Sequence, residues 1–210
     1  MLAHPSCVPA RAGVGMEDFV TKNVLWVAAV LTAVIAVLAG VLYLTHKPTL
    51  HGAVIDPPMD AADFHLMDFN GAPFALSELR GKPTILYFGY TNCPDECPLT
   101  MAHLKLAVDM LGDQAAKVRV MMITTDPGRD TPAAMKVFLG KFDKDFVGLV
   151  GTPEQLAMVW HDYGVEVENG GETHSNYVYV LDTLGRLRET FLPDSSPADE
   201  AADLRLLLKE

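Results

Sequence analysis

Cysteine is scarce in this chain: three residues, Cys7, Cys93 and Cys97. Three thiols cannot staple a domain, and none is needed here. The part of the chain beyond its N-terminal apolar run is on the order of 150 residues, enough to build a core without disulfides. Two of the three cysteines stand four positions apart, which suggests chemistry over architecture. Basic residues are also in short supply, and the formal net charge is −11. Arg11, Lys22, Glu17 and Asp18 cancel one another before residue 24, so the acidic excess lies beyond the apolar run. Phosphate neutralisation needs a basic face, so nucleic acid is not an expected partner. The acidity serves solubility or a docking face for a basic partner. Internal repeats and low-complexity segments are absent.

Charge is missing altogether from residues 24–44, VLWVAAVLTAVIAVLAGVLYL. As a helix this run extends roughly 31 Å, the thickness of a bilayer core. Trp26 and Tyr43 lie near its ends, where aromatic rings favour the interface. A cleaved signal peptide would have a shorter apolar region followed by a small-x-small site, and a lipoprotein would carry a cysteine after the run. Neither pattern is present, so a retained single span is expected. Arg11 and Lys22 precede it and Lys47 follows, a weak bias that puts the N-terminus in the cytoplasm. The expected organisation is an N-terminal cytoplasmic segment over 1–23, a transmembrane helix over 24–44, a linker over 45–62, and one domain over 63–210. Met16 is an alternative start, and Cys7 reads as a spectator.

The linker carries Pro48, Pro57 and Pro58 and shows no sustained apolar period. Residues 64–68 read as a short strand, Asn70-Gly71 as a hairpin turn and 74–76 as the return. Residues 84–90 are continuously apolar and aromatic, as in a central strand buried on both faces. Pro98 suits a first helical position, with Met101, Leu104, Val108 and Leu111 at helical spacing and Gly112 as the stop. Strands follow at 118–124 and 146–150, each leading to a helix opened by Thr-Pro. The second of these, at Thr152, carries a capping box with Gln155. A strand over 177–181, a return over 187–191 and a last helix after Ser196-Pro197 complete the order. Such an order argues for an α/β fold with a mixed sheet and helices on both faces.

The C-P-x-x-C-P stretch falls between the end of the 84–90 strand and the helix that follows. Open α/β sheets place their sites at the carboxyl ends of strands. A helix N-terminus stabilises a thiolate. Four positions on a helix rise about 6 Å, so Cys93 and Cys97 can close as a disulfide or share one metal. Of the seven histidines, His4, His46 and His51 flank the apolar run, His65 belongs to an early strand, and His103 and His161 lie on helices beside core positions. His174 differs, because it follows a Gly-rich loop just before the 177–181 strand. If that strand runs antiparallel to the central ones, it starts at the edge where they end, and His174 faces the two cysteines. Two thiolates and an imidazole form a soft donor set suited to Cu(I). Spacing alone leaves metal binding and a plain redox dithiol equally open.

Three segments resemble the Sco/SenC family: YFGYTNCPDECP at 87–98, TTDPGRDTP at 124–132 and THSNYVYVLDTLGRL at 173–187. They occur in the family's order. The joint presence of C-P-x-x-C-P and a late T-H-S is specific where either alone is weak. The resemblance implies a thioredoxin-like fold on a single-span anchor in the bacterial inner membrane, with the soluble domain in the periplasm. It implies copper binding through Cys93, Cys97 and His174, as Cu(I) with Cu(II) also open. The implied role is assembly of the copper centre in cytochrome oxidase subunit II, by delivering copper, by reducing the target's cysteines, or both. An upstream copper donor or thiol reductant and the lipid bilayer are the other implied partners. Asp126 matches the DPxRDT segment and is a candidate for supporting the ligands or docking a partner; Gly128 stands where an acidic residue is common. The expected class is a metallochaperone rather than an enzyme, with a membrane-tethered thiol–disulfide reductase using Cys93 and Cys97 as the alternative. A peroxiredoxin-like peroxidase is disfavoured, because its P-x-x-x-T-x-x-C setting is missing.

Overall fold

A computed structural model describes residues 16–45, 49–192 and 194–210 of the chain. Cys7, His4, Arg11, His46 and Lys47 lie outside the described residues. The chain divides into two units, one up to Pro48 and one from Thr49. In the first, helix α1 runs over Met16–Thr45. Its segment Asn23–Leu42 has a mean hydropathy of 2.7 and is long and apolar enough to cross a membrane.

The second unit is built on an eight-stranded sheet. Its strands are β1 (Ala53–Asp60), β2 (His65–Asp68), β3 (Pro73–Ala75), β4 (Thr84–Gly89), β5 (Arg119–Thr124), β6 (Val147–Val150), β9 (Val178–Leu181) and β10 (Arg186–Phe191). Strands β7 (Val167–Glu168) and β8 (Thr173–His174) form a separate two-stranded ladder. The order across the main sheet is β1-β10-β9-β4-β5-β6-β2-β3. Strands β4, β5 and β6 are parallel, and β9 runs antiparallel to β4. Successive side chains on a strand point to opposite faces. On β4, Ile85 and Tyr87 therefore join one core cluster while Leu86 and Phe88 join the other.

Helices α2 (Glu96–Met110), α3 (Pro132–Leu139) and α5 (Pro197–Leu207) cover the Ile85 face through Met101, Leu104, Met135, Phe138, Leu204 and Leu207. Helix α4 (Pro153–Asp162) covers the Leu86 face through Leu156 and Val159. Thr131, Thr152 and Ser196 each cap a helix that has proline in its first turn, and the Thr152–Gln155 capping box is formed reciprocally. The expected α/β class, with a mixed sheet between helical layers, is the class observed.

Three expectations need correction. The segment read as a linker contains β1, an edge strand paired with β10. Its residues are exposed or half-buried, so no apolar period marks it. Its prolines fall between the Val54↔Glu189 and Met59↔Leu187 pairs, where the register shifts. An edge strand with a bulge accepts residues that cannot donate to a ladder. Helix α2 starts at Glu96 rather than Pro98, with Asp95 at the N-cap position, so Cys97 lies inside its first turn. The Gly-rich stretch before His174 is not plain loop; it carries the β7–β8 ladder around a short turn, Asn169–Gly171.

Candidate functional site

At the carboxyl end of β4 the chain leaves the sheet and is pinned at once. Asp130, 3% exposed, accepts hydrogen bonds from the Thr91 backbone N–H (3.1 Å), the Thr91 hydroxyl (2.6 Å) and the Thr124 hydroxyl (2.7 Å). This carboxylate ties the start of the cysteine loop to the end of β5. Thr124 also accepts from the Asp126 backbone N–H. The loop then turns into α2. No side chain of Asp95 caps that helix; instead the Cys97 backbone N–H donates to the Cys93 sulfur at 3.3 Å. Cys93 thus occupies the anion-favouring position at a helix N-terminus.

The two thiols are chemically unlike. Both are free; Cys93 is half-buried and Cys97 fully buried. Partial burial opposes ionisation of Cys93. It is outweighed by the Cys97 N–H and thiol and the Asp95 N–H, and the Cys93 thiol is held below its ordinary value. Burial pushes the Cys97 thiol up to about 12. Its sulfur lies under Gly89, where a Cβ would sit 3.1 Å from that sulfur and 2.7 Å from the Tyr87 ring. Glycine at 89 therefore makes the space the buried thiol fills.

His174 comes to the same end of the sheet from β8. Its Nε2 stands 4.0 Å from the Cys97 sulfur, and its Nδ1 is 3.0 Å from the Ser175 carbonyl. A carbonyl only accepts, so Nδ1 carries a proton and Nε2 presents its lone pair toward the sulfur. The rings of Tyr87 and Tyr90 meet the imidazole edge-on at 6.5 and 6.0 Å. Cys93, His174 and Tyr90 line an open cleft of about 350 Å³, rimmed by Asp95, Glu96 and Glu172. The Asn176 amide donates to Glu96 across one side of it.

Sulfur and nitrogen ligands bonded to one ion at about 2.3 and about 2.0 Å stand some 3.5–4 Å apart. The Cys97–His174 separation fits that span, and two thiols with one imidazole make a soft donor set. As the side chains stand, no group of three or more His, Cys, Asp or Glu among the described residues is drawn together tightly enough to hold an ion. The close pairs are Cys93 with Cys97 and Cys97 with His174.

The structure therefore brings Cys93, Cys97 and His174 to one end of the sheet, as their placement after β4 and before β9 led one to expect. Asp126 lies at the same sheet edge, 3% exposed, and its carboxylate is engaged by Arg129 rather than by either sulfur. Asp130 and Gly89 were missed. The signal for Asp130 was the DPGRDTP segment, and for Gly89 nothing in a local pattern distinguishes it from a strand terminus.

The SCO1/SenC family model matches residues 55–209. An SCO2-like protein of Rickettsia conorii is 32% identical over 203 residues, covering 89% of this chain and 98% of that one. The solved structure of Bradyrhizobium japonicum ScoI, which has copper bound, is 36% identical with a TM-score of 0.65, covering 71% of this chain and 99% of that one. The structure of BsSco, described with a disulfide switch and as a member of the Sco family of cytochrome c oxidase assembly proteins, is 20% identical with a TM-score of 0.62. It covers 74% of this chain and 98% of its own, and shows the fold alone.

Proposed function

This chain belongs to the SCO1/SenC family, and on that premise we propose that it is a copper metallochaperone anchored in the bacterial inner membrane by one span, with its thioredoxin-like domain in the periplasm. It takes copper as cargo through Cys93, Cys97 and His174. It assists assembly of the copper centre in subunit II of a respiratory cytochrome oxidase. The observation that carries this reading is the approach of the His174 Nε2 lone pair to the buried Cys97 sulfur at the helix that also polarises Cys93. The donor set suits Cu(I). Copper-bound ScoI supports the choice of metal, and the oxidase is the target that the Sco/SenC resemblance implies.

Each ligand has its own part. Cys93, half-buried in the open cleft, is the sulfur a donor or target protein reaches first. Cys97 keeps its proton until a metal displaces it, so copper affinity rises with pH. His174 closes the set from β8. The test is X-ray absorption on the full chain purified in detergent and loaded with Cu(I), parent against His174→Ala. One copper per chain with two sulfurs and one nitrogen is expected in the parent, with the nitrogen lost and binding much weaker in the variant. A variant that holds copper as tightly as the parent would remove the histidine from the site.

The contrast between the two thiols favours a second reading, a thiol–disulfide reductase acting on the target's copper-ligand cysteines. The Cys93 thiolate would attack the target disulfide, releasing one target sulfur as thiolate and forming a mixed disulfide. Cys97, once deprotonated, would then attack the Cys93 sulfur. The second target sulfur leaves, and two electrons pass from this pair to the target. An upstream thiol reductant would restore the dithiol. This reading needs no histidine, so His174→Ala restoring oxidase assembly to a deletion strain without a copper requirement would select it.

A further inference from the structure

The segment that carries His174 has little structure of its own. Its ladder pairs Val167 with His174 and Glu168 with Thr173, and between them Asn169, Gly170 and Gly171 all have positive φ. So short a hairpin is marginal by itself, and its position is set by what it rests on. Gly171, at φ 103°, lies flush against the end of β5: a Cβ there would come within 2.1 Å of the Thr125 carbonyl oxygen. The Thr125 hydroxyl donates to the Gly171 carbonyl at 3.0 Å, and the Tyr90 hydroxyl to the Glu172 carbonyl at 3.3 Å. Arg129 completes the seat. Its Nη1 is 2.8 Å from the Glu172 carboxylate, its Nε donates to Asp126, and its guanidinium lies 5.9 Å from the Tyr90 ring centroid.

We infer that Arg129 is a positioning residue, bridging Asp126 at the end of β5 to Glu172 two residues before His174, and so holding the imidazole beside the Cys97 sulfur. This rests on the reading of His174 as a ligand given above. An ion pair between two free surface side chains would do little. The Glu172 arm is half-exposed, but the other partner is packed, since Asp126 is 3% exposed, and the planar guanidinium meets two carboxylates and an aromatic face together. A lysine could not copy that fork. The bridge gives the buried Asp126 carboxylate its charged partner.

The test uses the full chain in detergent. In the metal-free protein, amide hydrogen exchange over residues 166–176 is expected to quicken severalfold in Arg129→Ala, with β4 and β5 unchanged and Arg129→Lys between the two. An unchanged loop, or a rise spread equally over the core strands, overturns the inference. In chelator competition with Cu(I), Arg129→Ala is expected to weaken binding by roughly tenfold. It should have no effect in the His174→Ala background, where no imidazole remains to be positioned. Equal losses in both backgrounds overturn it too, because Arg129 would then act on the thiols. Should His174→Ala alone leave copper affinity unchanged, the ligand reading falls, and the exchange measurement still decides whether Arg129 seats the loop.

Discussion

Cys93 and Cys97 sit symmetrically in their motif and asymmetrically in space. One sulfur accepts the N–H of the other residue at a helix start, and the other is buried under Gly89. The expected consequence is a split in reactivity. In the reduced, metal-free protein, iodoacetamide should modify Cys93 with a midpoint below the ordinary thiol value, while Cys97 stays protected through pH 9. Mass spectrometry of peptides quenched across a pH series checks this, and faster labelling of Cys97 would reverse the assigned roles. The identity of the pair was legible, because a four-residue spacing beside a strand end is a local property. The inequality was not, because burial of Cys97 is made by residues on β4 and α2 that meet only in the folded sheet.

At the scale of elements, the edge formed by β1, β10 and α5 carries a cluster of acids that the apolar patterns did not reveal. Asp203, on α5 and fully buried, accepts both the backbone N–H and Nδ1 of His51 at 2.6 Å. Glu189 of β10 accepts the Gly52 N–H. Burial beside Asp203 pushes Glu189 up to about 8, and burial, helped by Asp199, pushes Glu200 up to about 7. The hydrogen bond to Asp203 raises His51. All three act with one sign. Between about pH 5 and 7 the folded protein holds carboxyl protons that the unfolded chain has released, so stability falls as pH rises. The His51 contribution is whole below its unfolded value of 6.5 and is lost as pH passes its raised one. The carboxylates held low, Asp63, Asp182 and Glu154, act below their ordinary values of 3.8, 3.8 and 4.5 and leave this window alone. Melting temperature should therefore drop from pH 5 to 7, and Glu189→Gln, which keeps an acceptor for Gly52, should flatten the slope. Equal slopes in parent and variant would show that Glu189 contributes nothing. His51 had read as a residue flanking the apolar run; an interaction across 152 positions of sequence has no local trace.

For the whole molecule, the proposal of a tethered periplasmic domain rests on α1, whose described side chains are exposed and whose apolar segment Asn23–Leu42 is long enough to span a bilayer. The full chain is expected to stay with membranes through alkaline carbonate extraction, and a chain beginning at Thr49 to leave them. A membrane-impermeant maleimide added to spheroplasts should label Cys93; labelling only after lysis would place the domain on the other side.

Residue types and their spacing were enough to determine the apolar run, the caps of α3, α4 and α5, the central strands and the cysteine pair, because each depends on neighbours within a turn or a strand. Beyond the two hairpins, the order and direction of the strands were decided by tertiary structure alone. An imidazole 77 positions from Cys97 stands 4.0 Å from its sulfur because β9 returns antiparallel beside β4, and a proline-bearing edge joins the sheet because β10 offers it a partner. Hydrogen bonding between distant strands leaves no period in a short window of sequence, and so those contacts had to be seen in the fold.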